Sequence, residues 1–178
     1  MLQENLYVNL MRIRFTSYES IKWAEEISIH LLDPRLWIPR IDYPDLEKWA
    51  EKVYSQLLSE KKRATTAIIG GSVVAVIIYQ KKQDSETELE IKNISVRPDQ
   101  QGRHITSFLL RNAEIEGIMD FGTKSVIVDA KEKNLAIRSF LIKNGYVPEE
   151  IRDLYGINSG NDIIYREIQR IFRKSALL

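Results

Sequence analysis

Leu89-Glu-Ile-Lys-Asn-Ile-Ser-Val96-Arg-Pro98-Asp-Gln-Gln-Gly102-Arg-His104-Ile-Thr-Ser-Phe-Leu-Leu110 is the stretch around which the rest of the chain is ordered. Leu89 to Val96 reads as a strand, Pro98 opens a short polar turn, and a helix begins near His104. A strand that feeds through a turn into a helix start leaves several backbone N–H groups unpaired and aimed at one spot. The helix dipole adds partial positive charge there, so the turn suits a phosphate or pyrophosphate.

Upstream, Ala64 to Tyr79 is apolar, rich in β-branched residues and interrupted by Gly70-Gly71. It is shorter than the roughly 20 residues a membrane helix needs, and two buried strands around a tight turn fit it better. Leu46, Trp49, Ala50, Val53, Tyr54, Leu57 and Leu58 form a helical stripe, which Asp42 or Tyr43 starts with Pro44 in its first turn. Before it, Pro34 and Pro39 mark a loop anchored by Trp37 and Ile38. An earlier helix runs to about His30, with Thr16 and Glu19 as its capping box. His30, at that helix end, is expected on the surface. Met11 to Phe15 is a candidate first strand.

Downstream, Phe121-Gly122 ends the central helix and Ser125 to Asp129 makes a strand. Asn134 caps a helix that Gly145 terminates, and Tyr146-Val147 begins another strand. Asn158 to Asn161 is a turn and Ile163 to Tyr165 a last strand; the basic tail from Gln169 to Leu178 is expected to be loosely docked. The order is strand, two helices, hairpin, strand, helix, strand, helix and two strands. It predicts a mixed α/β (α+β) fold in one domain.

Composition narrows the function. The 178 residues contain 44% hydrophobic and 29% charged side chains, an ordinary globular balance. A formal net charge of +1 argues against a nucleic-acid partner. With no cysteine, thiolate nucleophiles and Cys-based metal sites are excluded, and with two histidines no metal site is expected. No signal peptide is apparent at Met1 to Leu10, so a cytoplasmic, non-membrane protein is expected; a homo-oligomer is compatible with the sequence.

Two motifs carry a family resemblance. Val96-Arg97-Pro98-Asp99-Gln100-Gln101-Gly102-Arg103-His104-Ile105-Thr106 resembles the acetyl-CoA turn Q/R-x-x-G-x-G/A of the GNAT (general N-acetyltransferase) superfamily, with Gln101 in its first position. His104 and Thr106 stand in its two glycine slots, where small residues admit the pyrophosphate closely. Asn134 to Tyr146 is similar to the helix pattern N-x-x-A/S-x-x-x-Y/L-x-x-x-G-F/Y, with Leu141 where many members carry a tyrosine acid. Strand order and spacing match from Glu88 to Tyr165.

The resemblance implies a GNAT-like mixed, mostly antiparallel sheet of six to seven strands with helices on both faces. It implies acetyl-CoA as acyl donor, bound by Ile94, Ser95 and Val96, by Gln101, Gly102, Arg103, His104, Ile105 and Thr106, and by Asn134 at the pantetheine arm. The reaction implied is direct attack of a primary amine, on a small molecule or a protein, in a ternary complex. Glu88 and Glu90 are the candidate bases, two apart on one strand face, with Glu86 extending the row and Asp129 a further candidate. The alternative is a non-catalytic GNAT-like module that binds coenzyme A or a partner.

Overall fold

Gly70 and Gly71 carry positive φ angles of 59° and 83°, the pattern of a two-residue type I′ turn whose twist matches that of the strands it joins. The turn sets the register Ile69 to Ser72 and lays the two arms antiparallel. The structure, a computed structural model, describes residues 13–16, 21–36, 38–39, 41–154 and 160–167. Its strands are β1 (Arg14–Thr16), β2 (Arg63–Ile69), β3 (Ser72–Lys81), β4 (Glu88–Val96), β5 (Ser125–Lys131), β6 (Val147–Arg152) and β7 (Asp162–Glu167). Its helices are α1 (Ala24–Leu31), α2 (Leu46–Leu58), α3 (Ile105–Phe121) and α4 (Leu135–Lys143).

The described strands form one sheet in the order β1-β2-β3-β4-β5-β7-β6. Only β4 and β5 pair parallel, because helix α3 lies between them in the chain and crosses over the sheet. Alternation along β3 sends Ala75, Ile77 and Tyr79 to a core with α3 and α4, and Val76 and Ile78 to a second core with α1 and α2. The mixed, mostly antiparallel sheet with helices on both faces is thus the architecture the sequence predicts. No described helix is long and apolar enough to cross a membrane.

Three local expectations are corrected. Thr16 does not cap a helix: it pairs with Thr66 in the sheet, its hydroxyl 2.8 Å from that of Thr66, and α1 begins only at Ala24. Pro44 precedes α2 rather than entering it. The Pro39 carbonyl accepts from the N–H groups of Asp42 and Tyr43 at 3.0 and 3.2 Å, and the resulting turn holds the chain out of helix until Leu46. Strand β5 also runs on to Lys131, beyond Asp129. Trp37, Glu19, Tyr155 to Ser159 and the tail from Gln169 lie outside the described residues.

The extension of β5 has an electrostatic cause. Lys131 donates to Asp162 at 2.9 Å across the β5–β7 pair and to the Gly160 carbonyl at 3.2 Å. The two side chains are 3% and 0% exposed. A charge so deeply buried is tolerated while its partner is present and becomes costly when the partner is removed. Asp162→Ala is therefore expected to destabilise the fold by about 3–5 kcal/mol in urea unfolding.

Candidate functional site

Strand β4 keeps company with β5 only from Glu88 to Ile91, opposite Ser125 to Val128. Beyond that point β4 follows β3 to Val96, while β5 follows β7 to Lys131. The parting coincides with a bulge: Tyr79 faces Ile91 and Ile78 faces Asn93, so Lys92 is the extra residue. A bulge bends its strand and breaks the ladder, which here opens a gap between β4 and β5. Along the gap every second residue of each strand turns its N–H and C=O toward a missing neighbour. Ile94 and Val96 pack into the α3-side core, and Ser95 faces α1. The Oδ1 atom of Asn93, at the closed end of the gap, is buried without a hydrogen-bond partner among the described residues. Asn93 was not singled out by the sequence motifs; a lone polar residue in a strand carries no signal of its own.

At the open end of the gap the chain enters the turn. Arg97 donates its N–H to the Val74 carbonyl at 2.9 Å and its guanidinium to Asp99 at 2.9 and 2.6 Å. That guanidinium holds the Asp99 carboxyl down at about 2. Gln101 reaches back to the Val96 carbonyl at 3.4 Å, and Arg103 donates to the Gln100 side chain at 2.6 Å. Gly102 has a φ of 76° and His104 a φ of 59°. The backbone at position 104 thus keeps the left-handed geometry of a glycine slot although a histidine fills it. The first bond of the α3 ladder runs from the Phe108 N–H to the His104 carbonyl. The N–H groups of Ile105, Thr106 and Ser107 precede it and lie outside the ladder, at the positive end of the helix dipole. The stretch from Gln101 to Thr106 therefore gathers backbone donors in a form suited to an anionic group.

The remaining expected residues divide. Asn134 caps α4, its side-chain oxygen accepting from the Ile137 N–H at 3.3 Å. Leu141 is fully buried in the α3-side core. Glu90 sits where β4 is about to part from β5, with Gln80 donating to one carboxylate oxygen and Lys92 to the other, both at 2.9 Å. Glu88 lies two residues earlier in the paired region, in a cluster with Lys82, Arg166 and Ser125. Glu86 lies before β4 on the exposed loop between β3 and β4. Asp129 lies on the gap-facing part of β5, near Tyr43 of the loop before α2. Burial, then the carboxylates of Asp129, Asp162 and Asp42, push the Tyr43 hydroxyl up to about 12.

His30 departs from its expected surface position. It is 3% exposed, and its Nε2 lies 3.0 Å from the Ser95 hydroxyl. Amphipathic spacing accounts for this: His30 follows Ile27 and precedes Leu31 on the buried stripe of α1. Burial lowers its pKa to about 4, against the opposing charge of Asp33, so the ring is neutral around pH 7.

With this geometry in hand, comparison with known proteins decides the family. The family model "Acetyltransferase (GNAT) family" matches residues 23–146. The chain belongs to the GNAT acetyltransferase family. No curated protein matches this GNAT chain in sequence. Among solved structures, it resembles a GNAT-family protein from Desulfovibrio desulfuricans with a TM-score of 0.73 at 16% identity, over 88% of this chain and 99% of that one. It resembles the PaiA N-acetyltransferase of Thermoplasma acidophilum, solved with coenzyme A, with a TM-score of 0.66 at 19% identity, over 89% and 100%. A spermidine N-acetyltransferase from Vibrio cholerae matches with a TM-score of 0.67 at 10% identity, over 92% and 98%. At these identities the likeness is one of fold.

Two outcomes follow for the GNAT chain. A left-handed backbone costs an L-residue roughly 1–2 kcal/mol, partly offset by the extra chain entropy a glycine loses. His104→Gly should therefore raise the unfolding free energy measured in urea by up to about 1 kcal/mol. The buried His30 binds its proton more weakly folded than unfolded, so it imposes no penalty above pH 6.5. Stability then falls as the pH drops from 6.5 towards about 4, by roughly 3 kcal/mol in all. His30→Gln should flatten that part of the stability–pH curve.

Proposed function

We propose that the chain is an N-acetyltransferase that moves an acetyl group from acetyl-CoA to a primary amine by direct attack in a ternary complex. The observation that carries this reading is the gap between β4 and β5, closed at Ile91 and Val128 and opening onto a donor-rich turn. The residues present suit coenzyme A in three respects. Gly102 and the first turn of α3 offer backbone donors for the pyrophosphate. The free main-chain edge of Ile94, Ser95 and Val96 can pair with the amides of an extended arm. Asn93 holds a buried acceptor that lacks a donor. Asn134, at the start of α4, is assigned to the same arm through the family motif alone, since its side-chain oxygen caps the helix and its backbone N–H and C=O are bonded to Lys131 and Arg138.

Acetyl-CoA supplies the thioester, whose acyl carbon is attacked by the amine nitrogen as coenzyme A leaves. The chain's own part is to orient the two reactants and to move one proton. Glu90 is the better placed of the two strand carboxylates to take that proton from the incoming ammonium. Lys92 and Gln80 fix its position and leave lone pairs on both oxygens. Glu88, committed to Arg166 and Lys82, supports the sheet instead. The sequence holds no cysteine for a thioester-linked enzyme intermediate. The named activity of the Vibrio cholerae relative on spermidine is consistent with an amine acceptor here.

Calorimetry with acetyl-CoA, together with thiol release against a panel of amines, tests the reading. Binding with turnover on at least one amine is expected; binding without turnover on any would favour a non-catalytic module, and absence of binding would remove the proposal. Gly102→Pro replaces a φ of 76° with a ring that demands about −65° and deletes an N–H. Coenzyme A affinity should then be lost while the fold persists. Glu90→Gln should lower kcat by about 10²-fold or more, whereas Glu88→Gln should leave kcat near the wild-type value. Equal kcat in both variants would return the two carboxylates to a structural role.

A further inference from the structure

Lys62 immediately precedes β2 and is only 5% exposed. Its backbone N–H is held by the Gln56 carbonyl of α2 at 3.1 Å. No carboxylate forms an ion pair with its amine among the described residues, in contrast to Lys82, Lys92, Lys131 and Lys133. A buried ammonium without a salt-bridge partner is costly, and it asks for an explanation in the site around it.

The residues around that amine say where it lies. Arg63 is opposite Tyr79 and faces α3, where it meets Asp120. Lys62 stands one residue before that ladder, and the charges that act on its amine, those of Lys92 and Glu90 on β4 and of Lys52 on α2, put it on the other face, the one Gln80 shares. Gln80 is in turn opposite Glu90 and hydrogen-bonds to it at 2.9 Å. Lys62, Gln80 and Glu90 therefore form a row across the sheet that ends beside the bulge at Lys92, the closed end of the gap. From Lys62 to Glu90 is two strand spacings, about 9–10 Å between backbones. A four-carbon lysine stem spans much of that distance.

We propose that Lys62 is an internal acyl acceptor, whose amine takes an acetyl group from acetyl-CoA held in the gap and becomes Nε-acetyl-lysine. The inference rests on the acetyl-CoA reading above. The step balances without further reactants: the Lys62 nitrogen forms a bond to the thioester carbon, the C–S bond breaks, and coenzyme A departs as a thiol with the proton the nitrogen gives up. Attack needs the neutral amine. Burial, with the charges of Lys92 on β4 and Lys52 on α2, brings Lys62 down to about 8, against the opposing effect of Glu90. An exposed lysine remains protonated to about 10.4. Acetylation also removes the uncompensated buried charge, so the modified protein should unfold at a higher temperature than the unmodified one.

The test incubates the full chain with one equivalent of acetyl-CoA at pH 8, locates acetyl groups by peptide mass spectrometry, and measures acetyl-CoA binding by calorimetry on the same preparation. Label on Lys62 at least tenfold above that on the exposed Lys61, Lys81 and Lys124 is expected, suppressed by excess coenzyme A and rising with pH through about 8. Lys62→Arg, which keeps the charge, should lose that label, and Gly102→Pro should lose it while retaining Lys62. Three results would overturn the inference: acetyl-CoA bound with Lys62 unlabelled, label spread over exposed lysines according to accessibility, or equal Lys62 labelling in Gly102→Pro. Absence of acetyl-CoA binding would remove the parent reading, and this inference with it.

Discussion

Because Lys92 has no partner residue on β3, strand β4 bends at that point, and the bend is what separates it from β5. Without the bulge the parallel ladder begun at Glu88 could continue, and the backbone edges of Ile94 to Val96 would be spent on β5. The gap also needs β5 to be held elsewhere, which β7 does by pairing with it through Lys131. A parallel pair that stops after four residues is therefore stabilised from both sides, by β3 on one flank and β7 on the other. The turn at Gly102 can present its donors to the gap because β4 still delivers the chain there, tied by Arg97 to Val74.

The two faces of the sheet do different work. The α3 side is dominated by apolar packing, with its buried carboxylates satisfied locally: Glu116 by Tyr79 and Asn112, Glu114 by Tyr146 and Arg111. The α1 and α2 side becomes polar as it approaches the gap, through His30, Ser95, Asn93, Glu90 and Lys62. Burying such groups opposes folding unless each finds a partner. Among the described residues, that face retains atoms without hydrogen-bond partners on His30 and Asn93, and an amine without an ion pair on Lys62. Stability is thus conceded along the line that borders the gap, as it is also at the buried oxygens of Gln56, Thr123 and Asp162.

Much of the fold was legible because local and long-range signals agree. The Gly70-Gly71 turn, the stripe of α2, the strand–turn–helix around Pro98 and the Asn134 cap each carry short-range chemistry that tertiary packing leaves in place. The errors arose where pairing overrode local preference. Thr16 has the chemistry of a helix cap but its backbone is taken by β2, and His30 has the chemistry of a helix end but lies on the buried stripe. The candidate site was legible where a motif encodes backbone shape, as from Gln101 to Thr106. It was less so where function depends on register. Alternation alone put Glu88 and Glu90 on equal footing; only the position of the bulge and of Arg166 separates them. Lys62 reads in the sequence as part of a solvated linker from Glu60 to Arg63, and its burial is not legible there because its relation to Glu90 runs through a third strand.

The strand order has a consequence for how the chain is made. β6 leaves the ribosome before β7, yet β7 lies between β5 and β6 in the sheet. Until residues 162–167 emerge, β6 has no strand to pair with and Lys131 has no Asp162. The gap-bearing half of the sheet is consequently completed late in synthesis, whereas the β2–β3 hairpin can close early through its own turn. A nascent chain arrested between β6 and β7 would expose two unsatisfied strand edges, a state that invites pairing with a neighbouring copy.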